Sequence, residues 1–144
     1  MEIFPSGKFG RVVSVHLKRG DLLLESICAA LEHEGIKNAV LLSAIGSLQK
    51  VEFHRVITKD VIPQDEFLTI TTPCEISSAQ GLILNGAPHI HFVFSDVENT
   101  YTGHLEPGTE VLYLVEMVLA ELPDCNIVRK KGADNVAYFE SVPE

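Results

Sequence analysis

The sequence has few cysteines and no pattern that would join them. Cys28, Cys74 and Cys125 stand far apart and form no CxxC pair. An odd, scattered set of this kind indicates reduced thiols rather than a disulfide framework. The sequence also has no uninterrupted apolar run near the roughly 20 residues that a membrane span requires, and its first residues lack the basic and apolar regions of a signal peptide. We therefore expect a soluble, cytoplasmic protein with no membrane partner.

Basic residues are also scarce. The chain has 11 Lys and Arg residues against 20 Asp and Glu residues, which gives a formal net charge of −9. Nucleic-acid binding draws much of its affinity from Lys and Arg side chains that replace counterions on phosphates. The short basic runs at 18–19 and 129–131 are better explained as solvated strand ends or turns. DNA is therefore a disfavoured partner.

Two common catalytic motifs are missing. No GxxxxGK phosphate-binding loop occurs, and Ser47 has no GxSxG context, so we interpret Ser47 as a turn residue beside Gly46. Cys74 has no electropositive neighbour in the sequence, which predicts a buried, unreactive thiol. Neither side chain is a good candidate nucleophile.

The length predicts one domain that spans residues 1–144. A chain of 144 residues and 15.8 kDa lies at the commonest size for a single domain. Hydrophobic residues make up 46% of it, and its mean hydropathy is +0.19, so it carries slightly more apolar side chains than a domain of this size needs. Oligomerisation is one way to bury the surplus.

The first half of the chain predicts strands around one helix. Residues 11–20 alternate between apolar and polar as in a strand, and residues 21–35 have helical spacing, with Asp21 as the N-cap and Gly35 as the stop. Residues 38–48 predict a buried strand that ends in a Gly-Ser turn, and residues 49–57 predict another strand.

The second half predicts mainly strands. Residues 67–84 are interpreted as two strands that separate near Gln80 and Gly81, and Asn85-Gly86 is a two-residue hairpin signal. The run 111–122 mixes strand-favouring and helix-favouring residues, and its β-branched residues favour a strand. Two short β segments close the chain. The whole pattern predicts an α+β fold, with one main helix packed on a largely antiparallel sheet.

The segment APHIHFVFSDVENTYTGHL, residues 87–105, contains the most informative pattern. Side chains alternate along a strand, so His89 and His91 project from the same face. A turn on Val97-Glu98 would set His104 opposite His91, whereas a turn one residue later would set it diagonally. Both registers bring three histidines to one face. Gly103, just before His104, suits a close approach of another strand.

Three histidines with an open fourth position are a known catalytic zinc arrangement, and nickel, iron and copper accept the same ligands. The alternative is that His89, His91 and His104 are structural strand residues that bond to the backbone. The other histidines, His16, His33 and His54, are scattered among polar faces and are expected to be solvated.

The motifs LLSAIGSLQKVEF, EISSAQGLI, GAPHIHFVFSD and GHLEPGTEV occur in this order. They resemble the plant and prokaryote conserved (PPC) domain over about residues 11–122. The resemblance implies a compact α+β fold, a homotrimer and, in plant members, nuclear DNA binding beside an AT-hook. This chain has no RGRP-type AT-hook, and TTPCEISS stands where plant members have a basic-aromatic segment. Both departures weaken the expectation of DNA binding.

The PPC fold is also similar to that of acetolactate decarboxylase, whose zinc is held by an HxH pair and a later histidine. Carried over residue by residue, this resemblance implies His89, His91 and His104 as ligands of a divalent transition metal, with zinc the first choice. The decarboxylase reaction does not carry over, because similar folds host different chemistry.

Glu75 is the candidate catalytic carboxylate, because a metal site commonly needs a proton shuttle or a group that orients a ligand. The plainer interpretation is an exposed strand residue. We expect a homotrimeric protein that binds or transforms a small molecule at a three-histidine metal site. The alternatives are a DNA-binding or regulatory protein with structural histidines, and a trimeric interaction module.

Overall fold

The computed structural model describes residues 1–142. Within them the chain forms one helix and nine strands, in an order that is largely β. The elements are β1 (Val12–Lys18), α1 (Leu23–Glu34), β2 (Ala39–Val56), β3 (Asp65–Ile70), β4 (Cys74–Leu84), β5 (Ala87–Ser95), β6 (Thr100–Leu105), β7 (Glu110–Glu121), β8 (Ile127–Lys131) and β9 (Ala137–Ser141).

One seven-stranded sheet forms the body of the protein. Its main path runs β1-β7-β2-β4-β5-β6, and β3 adds to β2. Because the long strand β2 also pairs with β6, the strands β2, β4, β5 and β6 close on themselves. Strands β8 and β9 form a separate hairpin. All these pairings are antiparallel, which confirms the predicted sheet, while the 12-residue helix is a minor part of the fold.

Apolar side chains from alternate strand positions fill the core. Three stacked or edge-on rings, Phe53, Phe92 and Phe94, are almost fully buried inside the closed part of the sheet. Helix α1 adds Leu23, Ile27 and Leu31 from one face, because residues four apart lie on the same side of a helix. Because side chains alternate along a strand, the polar residues of β5 and β6 point away from this core.

The predicted cap at the start of the helix is wrong. The N-cap position is Leu22, which makes no side-chain capping bond, and the helix ends at Gly35 as predicted. The Asp21 carboxylate instead accepts a hydrogen bond of 2.8 Å from the Lys18 backbone N–H. The reason is that Asp21 closes the turn that leaves β1, so its side chain is not available to the helix.

The predicted turn at Gly46 and Ser47 is also wrong. Residues 39–56 form one 18-residue strand, which bends through irregular pairing with β7 rather than turning back. Ser47 is buried, and its hydroxyl accepts a hydrogen bond from the Tyr113 N–H at 3.2 Å. A glycine inside a strand marked a bulge here, not the end of the element.

The break between β3 and β4 lies at residues 71–73 rather than near Gln80 and Gly81. Gly81 lies within β4 and permits a very close approach of β5. A Cβ atom there would lie 2.1 Å from the backbone oxygen of His89 and 2.7 Å from the Ile90 Cα. The glycine therefore brings the strands together instead of separating them.

Both predicted hairpins around β5 are confirmed, because β5 pairs antiparallel with β4 before it and with β6 after it. Asn85 and Gly86 have positive φ values of 51° and 74° and join β4 to β5, as a type I′ turn requires. Residues 111–121 form the predicted strand within β7, and β8 and β9 fall on the two short C-terminal segments. Across residues 1–142, no helix is long and apolar enough to cross a membrane.

Candidate metal centre

The structure brings the three predicted histidines together on the outer face of the sheet. The register pairs His91 with His104, as expected for a turn on Val97-Glu98. The Nε2 atoms of His89 and His91 lie 3.2 Å apart, and the ring centroid of His104 lies 5.0 Å from that of His89 and 5.5 Å from that of His91. Alternation along β5 and one tight hairpin are enough to produce this arrangement.

A fourth histidine, His54, joins the cluster from β2. It pairs with His104 in the β2–β6 register, and the two rings stack with their centroids 4.5 Å apart and their planes 21° from parallel. Its side chain is only 20% exposed, so the expectation that His54 is solvated is wrong. His16 and His33 are exposed as predicted.

Glu106 supplies a carboxylate to the same cluster. Its Oε1 atom lies 2.5 Å from His54 Nδ1 and 3.2 Å from His104 Nδ1. Within residues 1–142 the buried Nδ1 atom of His104 makes no hydrogen bond, even though Glu106 Oε1 lies 3.2 Å away. The candidate ligand atoms of His54, His104 and Glu106 all lie within 4.8 Å of one another.

Gly103 makes the His54–His104 contact feasible. A Cβ atom at Gly103 would lie 2.5 Å from the His54 backbone oxygen and 2.7 Å from Phe53 Cδ2. A side chain at this position would push β6 away from β2. The predicted close backbone approach beside His104 is therefore confirmed.

The structure does not bring Glu75 to these histidines within one subunit. Glu75 lies in β4 opposite Ser95, which is four residues along β5 from His91. At about 3.3 Å per residue, the separation along the strand is roughly 13 Å. Within one subunit, the carboxylate beside these histidines is Glu106, two residues after His104.

The cluster lies in an open pocket of about 460 Å³, here called the histidine pocket. Besides the four histidines, Thr102 and Gly103, it is lined on one side by the end of β2 and the start of β3, through Arg55, Val56, Pro63 and Asp65. The tip of the β8–β9 hairpin, residues 134–136, lines it on another side. A small molecule could thus enter beside the imidazoles.

Burial favours the neutral forms of His89, His91 and His104. Loss of solvation, reinforced by the nearby Arg129 guanidinium, lowers the pKa of His89 to about 4. Burial, and then the charge of His54 when protonated, lower the pKa of His91 and of His104 below the ordinary value, although Glu106 opposes the effect at His104.

The cluster fits a metal ion by its chemistry. Neutral imidazole nitrogens are ligands for zinc and other divalent transition metals, and carboxylate oxygens complete many such sites. A buried ring nitrogen with no hydrogen-bond partner, as at His104, is unfavourable unless something binds it. The donor set does not select one metal.

Several solved structures share this fold. A plant- and prokaryote-conserved (PPC) protein from Pyrococcus horikoshii has a TM-score of 0.82 and 24% identity, over 99% of this chain and 100% of that one. The metal-containing protein AF0104 from Archaeoglobus fulgidus has a TM-score of 0.76 and 25% identity, over 94% of this chain and 95% of that one. A candidate DNA-binding protein from Bacteroides thetaiotaomicron has a TM-score of 0.76 and 16% identity, over 97% and 99% of the two chains, and shows the fold alone.

Among curated proteins, the bifunctional protein GlmU of Synechococcus sp. (strain JA-3-3Ab) is 27% identical over 118 residues. The match covers 81% of this chain but 18% of that protein, so the chain spans less than a fifth of its curated relative. The family model of the Plants and Prokaryotes Conserved (PCC) domain matches residues 4–123. The strand order, the histidine hairpin and this match lead to one conclusion: the chain belongs to the Plants and Prokaryotes Conserved domain family.

Proposed function

We propose that this chain binds a divalent transition metal ion, with zinc the first choice, through His89, His91 and His104, and that it binds or transforms a small molecule there. The observation that carries the proposal is the convergence of His89, His91 and His104, with the Nε2 atoms of His89 and His91 only 3.2 Å apart and the His104 ring beside both. The A. fulgidus relative, described as metal-containing, supports it.

A second ligand set shares His104 with the first. His54, His104 and Glu106 have ligand atoms within 4.8 Å of one another, whereas His89 and His91 approach each other most closely. We favour the first set because the Nε2 atoms of His89 and His91 are close enough to share one ion, whereas Glu106 Oε1 is already engaged by His54 Nδ1 and is better suited to orienting the histidine rings than to binding the metal. On this view, His54 and Glu106 position His104.

A bound divalent metal would supply Lewis acidity or lower the pKa of a coordinated water. The residues of the chain would position the ligands and handle protons. Glu106 contacts Nδ1 of the His54 ring, which keeps His54 stacked against His104. His54 and Glu106 together are placed to hold or move a proton. Glu75 remains a candidate only for a site that a neighbouring subunit completes.

The decisive experiment is metal analysis of protein purified without a metal-binding tag. We expect about one transition-metal ion per chain by mass spectrometry, and none after the paired change His89→Ala and His104→Ala. The variant His16→Ala is the control, since His16 is exposed on β1, outside the cluster. Wild-type protein that holds no metal, and takes up none from zinc, cobalt or nickel solutions, would contradict the proposal.

A homotrimer in the cytoplasm is a further part of the proposal. Ile45 is 51% exposed and Tyr113 is 71% exposed on the sheet surface formed by β2 and β7, and Leu42 lies exposed beside them. Association would bury this apolar surface. Sedimentation equilibrium should give three times the 15.8 kDa chain mass, and a monomer at micromolar concentration would contradict the trimer.

DNA binding is the second candidate function, since a similar structure belongs to a candidate DNA-binding protein. The charge of −9 opposes it. In the basic run on β8, Arg129 donates to backbone carbonyls and Lys130 pairs with Glu140 at 2.9 Å. Of the three basic residues in this run, only Lys131 makes no such bond within the described residues 1–142. A duplex affinity that falls steeply with added salt would support DNA binding, and no binding at low salt would exclude it.

A further inference from the structure

The tip of the C-terminal hairpin, formed by β8 and β9, is one wall of the histidine pocket. Asp134, Asn135 and Val136 lie there and line the pocket together with the histidines and the residues at the end of β2 and the start of β3. This hairpin lies beyond residues 4–123, which the family model matches, so membership of the family does not say what it does. Its position beside the histidines points to a role in choosing the ligand.

Specific contacts fix the hairpin to the body of the protein. Arg129 donates hydrogen bonds to the backbone oxygens of Ala87 and Leu82, at 3.3 and 3.4 Å. Its guanidinium lies over the Phe139 ring at 5.9 Å, and that ring meets Phe4 edge-on. Because Ala87 begins the strand that carries His89 and His91, the hairpin is held directly beside the cluster.

Among the charged side chains that line the pocket, those without an ion-pair partner in residues 1–142 are carboxylates. Arg55 is already bound by Glu66, at 2.9 Å. Within residues 1–142, Asp65 makes no side-chain hydrogen bond or ion pair, and Asp134 uses one oxygen to accept from the Val136 N–H, at 3.1 Å. Two other charged groups lie near the cluster. Glu106 contacts His54. Arg129 keeps its positive charge, which acts on His89, but it does not line the pocket and its guanidinium donates to the Ala87 and Leu82 backbone oxygens.

We propose that the C-terminal hairpin determines ligand specificity, and that Asp65 and Asp134 select ligands that carry an amine at the end remote from the metal. This rests on the proposed function, because the other end of the ligand is held at the histidines. Carboxylates at the rim of an open pocket attract an ammonium group by charge and accept its hydrogen bonds, and they repel a second carboxylate.

Three small thiols that differ in one group test this. Cysteamine carries an ammonium, 2-mercaptoethanol a hydroxyl and thioglycolate a carboxylate, and each binds a metal through sulfur. In cobalt(II)-loaded protein, the thiolate-to-cobalt absorption band reports binding directly. An exposed charge pair contributes up to about 1 kcal/mol, or about fivefold in affinity. We therefore expect cysteamine to bind about fivefold more tightly than 2-mercaptoethanol, and thioglycolate to bind most weakly.

The double variant Asp65→Asn/Asp134→Asn should lose this ranking while it keeps its cobalt content and its absorption band. Asp124→Asn is the control, since Asp124 lies outside the pocket lining, and it should keep the ranking. An unchanged ranking in the double variant, or tighter binding of thioglycolate by the wild type, would overturn the assignment to Asp65 and Asp134. Protein that holds no cobalt would overturn the proposed function, and this inference with it.

Discussion

His54 stacks on His104 with ring centroids 4.5 Å apart, although the two residues come from strands that are distant in sequence. The contact joins the predicted histidine hairpin to β2, and Glu106 lies between the two rings at Nδ1 of each. Because His104 faces His89 and His91 on its other side, it is the one residue common to both candidate ligand sets. Substitution of His104 should therefore have the largest effect on metal binding.

The first prediction concerns His104 and stability. A ligand that binds only the folded state stabilises it, by about 2.7 kcal/mol at 100 times its dissociation constant. Zinc added in that excess should raise the melting temperature of the wild type by several degrees, and a chelator should reverse the change. The His104→Ala variant should show no response to either. The His33→Ala variant, altered at a side chain that is 84% exposed, should respond as the wild type does.

The second prediction separates the two ligand sets. If His89, His91 and His104 hold the metal, His89→Ala should abolish stoichiometric binding. His54→Ala should then weaken it only about 10- to 100-fold, the usual effect of removing a group that orients a ligand. Isothermal titration with zinc measures both. The opposite order, with little effect at His89 and loss of binding at His54 and at Glu106→Gln, would assign the metal to His54, His104 and Glu106.

The part of the site that could be predicted depends on local structure. Alternation places His89 and His91 on one face of a strand, and a short turn brings His104 back to them. Both rules act over fewer than about 20 residues and need no knowledge of the rest of the fold. The histidine pattern itself suggested a metal, and the resemblance to acetolactate decarboxylase strengthened that expectation, but the resemblance was not needed for the geometry.

His54 could not be predicted, because its place depends on the pairing of β2 with β6. That pairing requires β2 to continue through the bulge near Gly46, where the sequence suggested a turn. Glu106 was within reach of sequence reasoning, since it follows His104 by two residues and so shares its face. Glu75 was predicted as a strand carboxylate, and only the pairing of β4 with β5 shows that, within one subunit, it lies roughly 13 Å along the strand from His91.

The third prediction concerns Gly103. In Gly103→Ala, the new methyl group would lie 2.5 Å from a backbone oxygen, that of His54. Backbone cannot move aside as a side chain can, so the variant should be less stable by about 1–3 kcal/mol, and its metal affinity should fall as His104 moves away from His54. Urea unfolding and zinc titration measure the two effects.

Gly7→Ala is the matched control for Gly103. Its added methyl group would meet the end of one flexible side chain, that of Asp124, which can rotate away. Its stability should stay close to that of the wild type, and its zinc affinity should not change. Equal losses of stability in the two variants would mean that the close approach of β6 to β2 is not what Gly103 provides.

The fourth prediction concerns Asp96, which closes the turn between the two histidine strands. Its carboxylate accepts hydrogen bonds from the backbone N–H groups of Asn99 and Glu98, at 2.6 and 2.8 Å, and from the Tyr101 hydroxyl at 3.1 Å. These bonds, that from Asn99 first, lower the pKa of Asp96 below its ordinary value of 3.8. A group whose pKa is lower in the folded state stabilises the fold above its unfolded-state pKa, and this contribution is lost as the pH falls toward the folded-state pKa.

The free energy of unfolding of the wild type should therefore decrease between about pH 5 and pH 3, and part of that decrease should disappear in Asp96→Asn. At pH 7 the variant should be less stable than the wild type, because the neutral amide is a weaker acceptor than the carboxylate. Chemical unfolding at a series of pH values checks both effects, with Asp60→Asn in the β2–β3 loop as the control. If Asp96→Asn and Asp60→Asn show the same pH dependence, the turn carboxylate does not couple the histidine hairpin to pH.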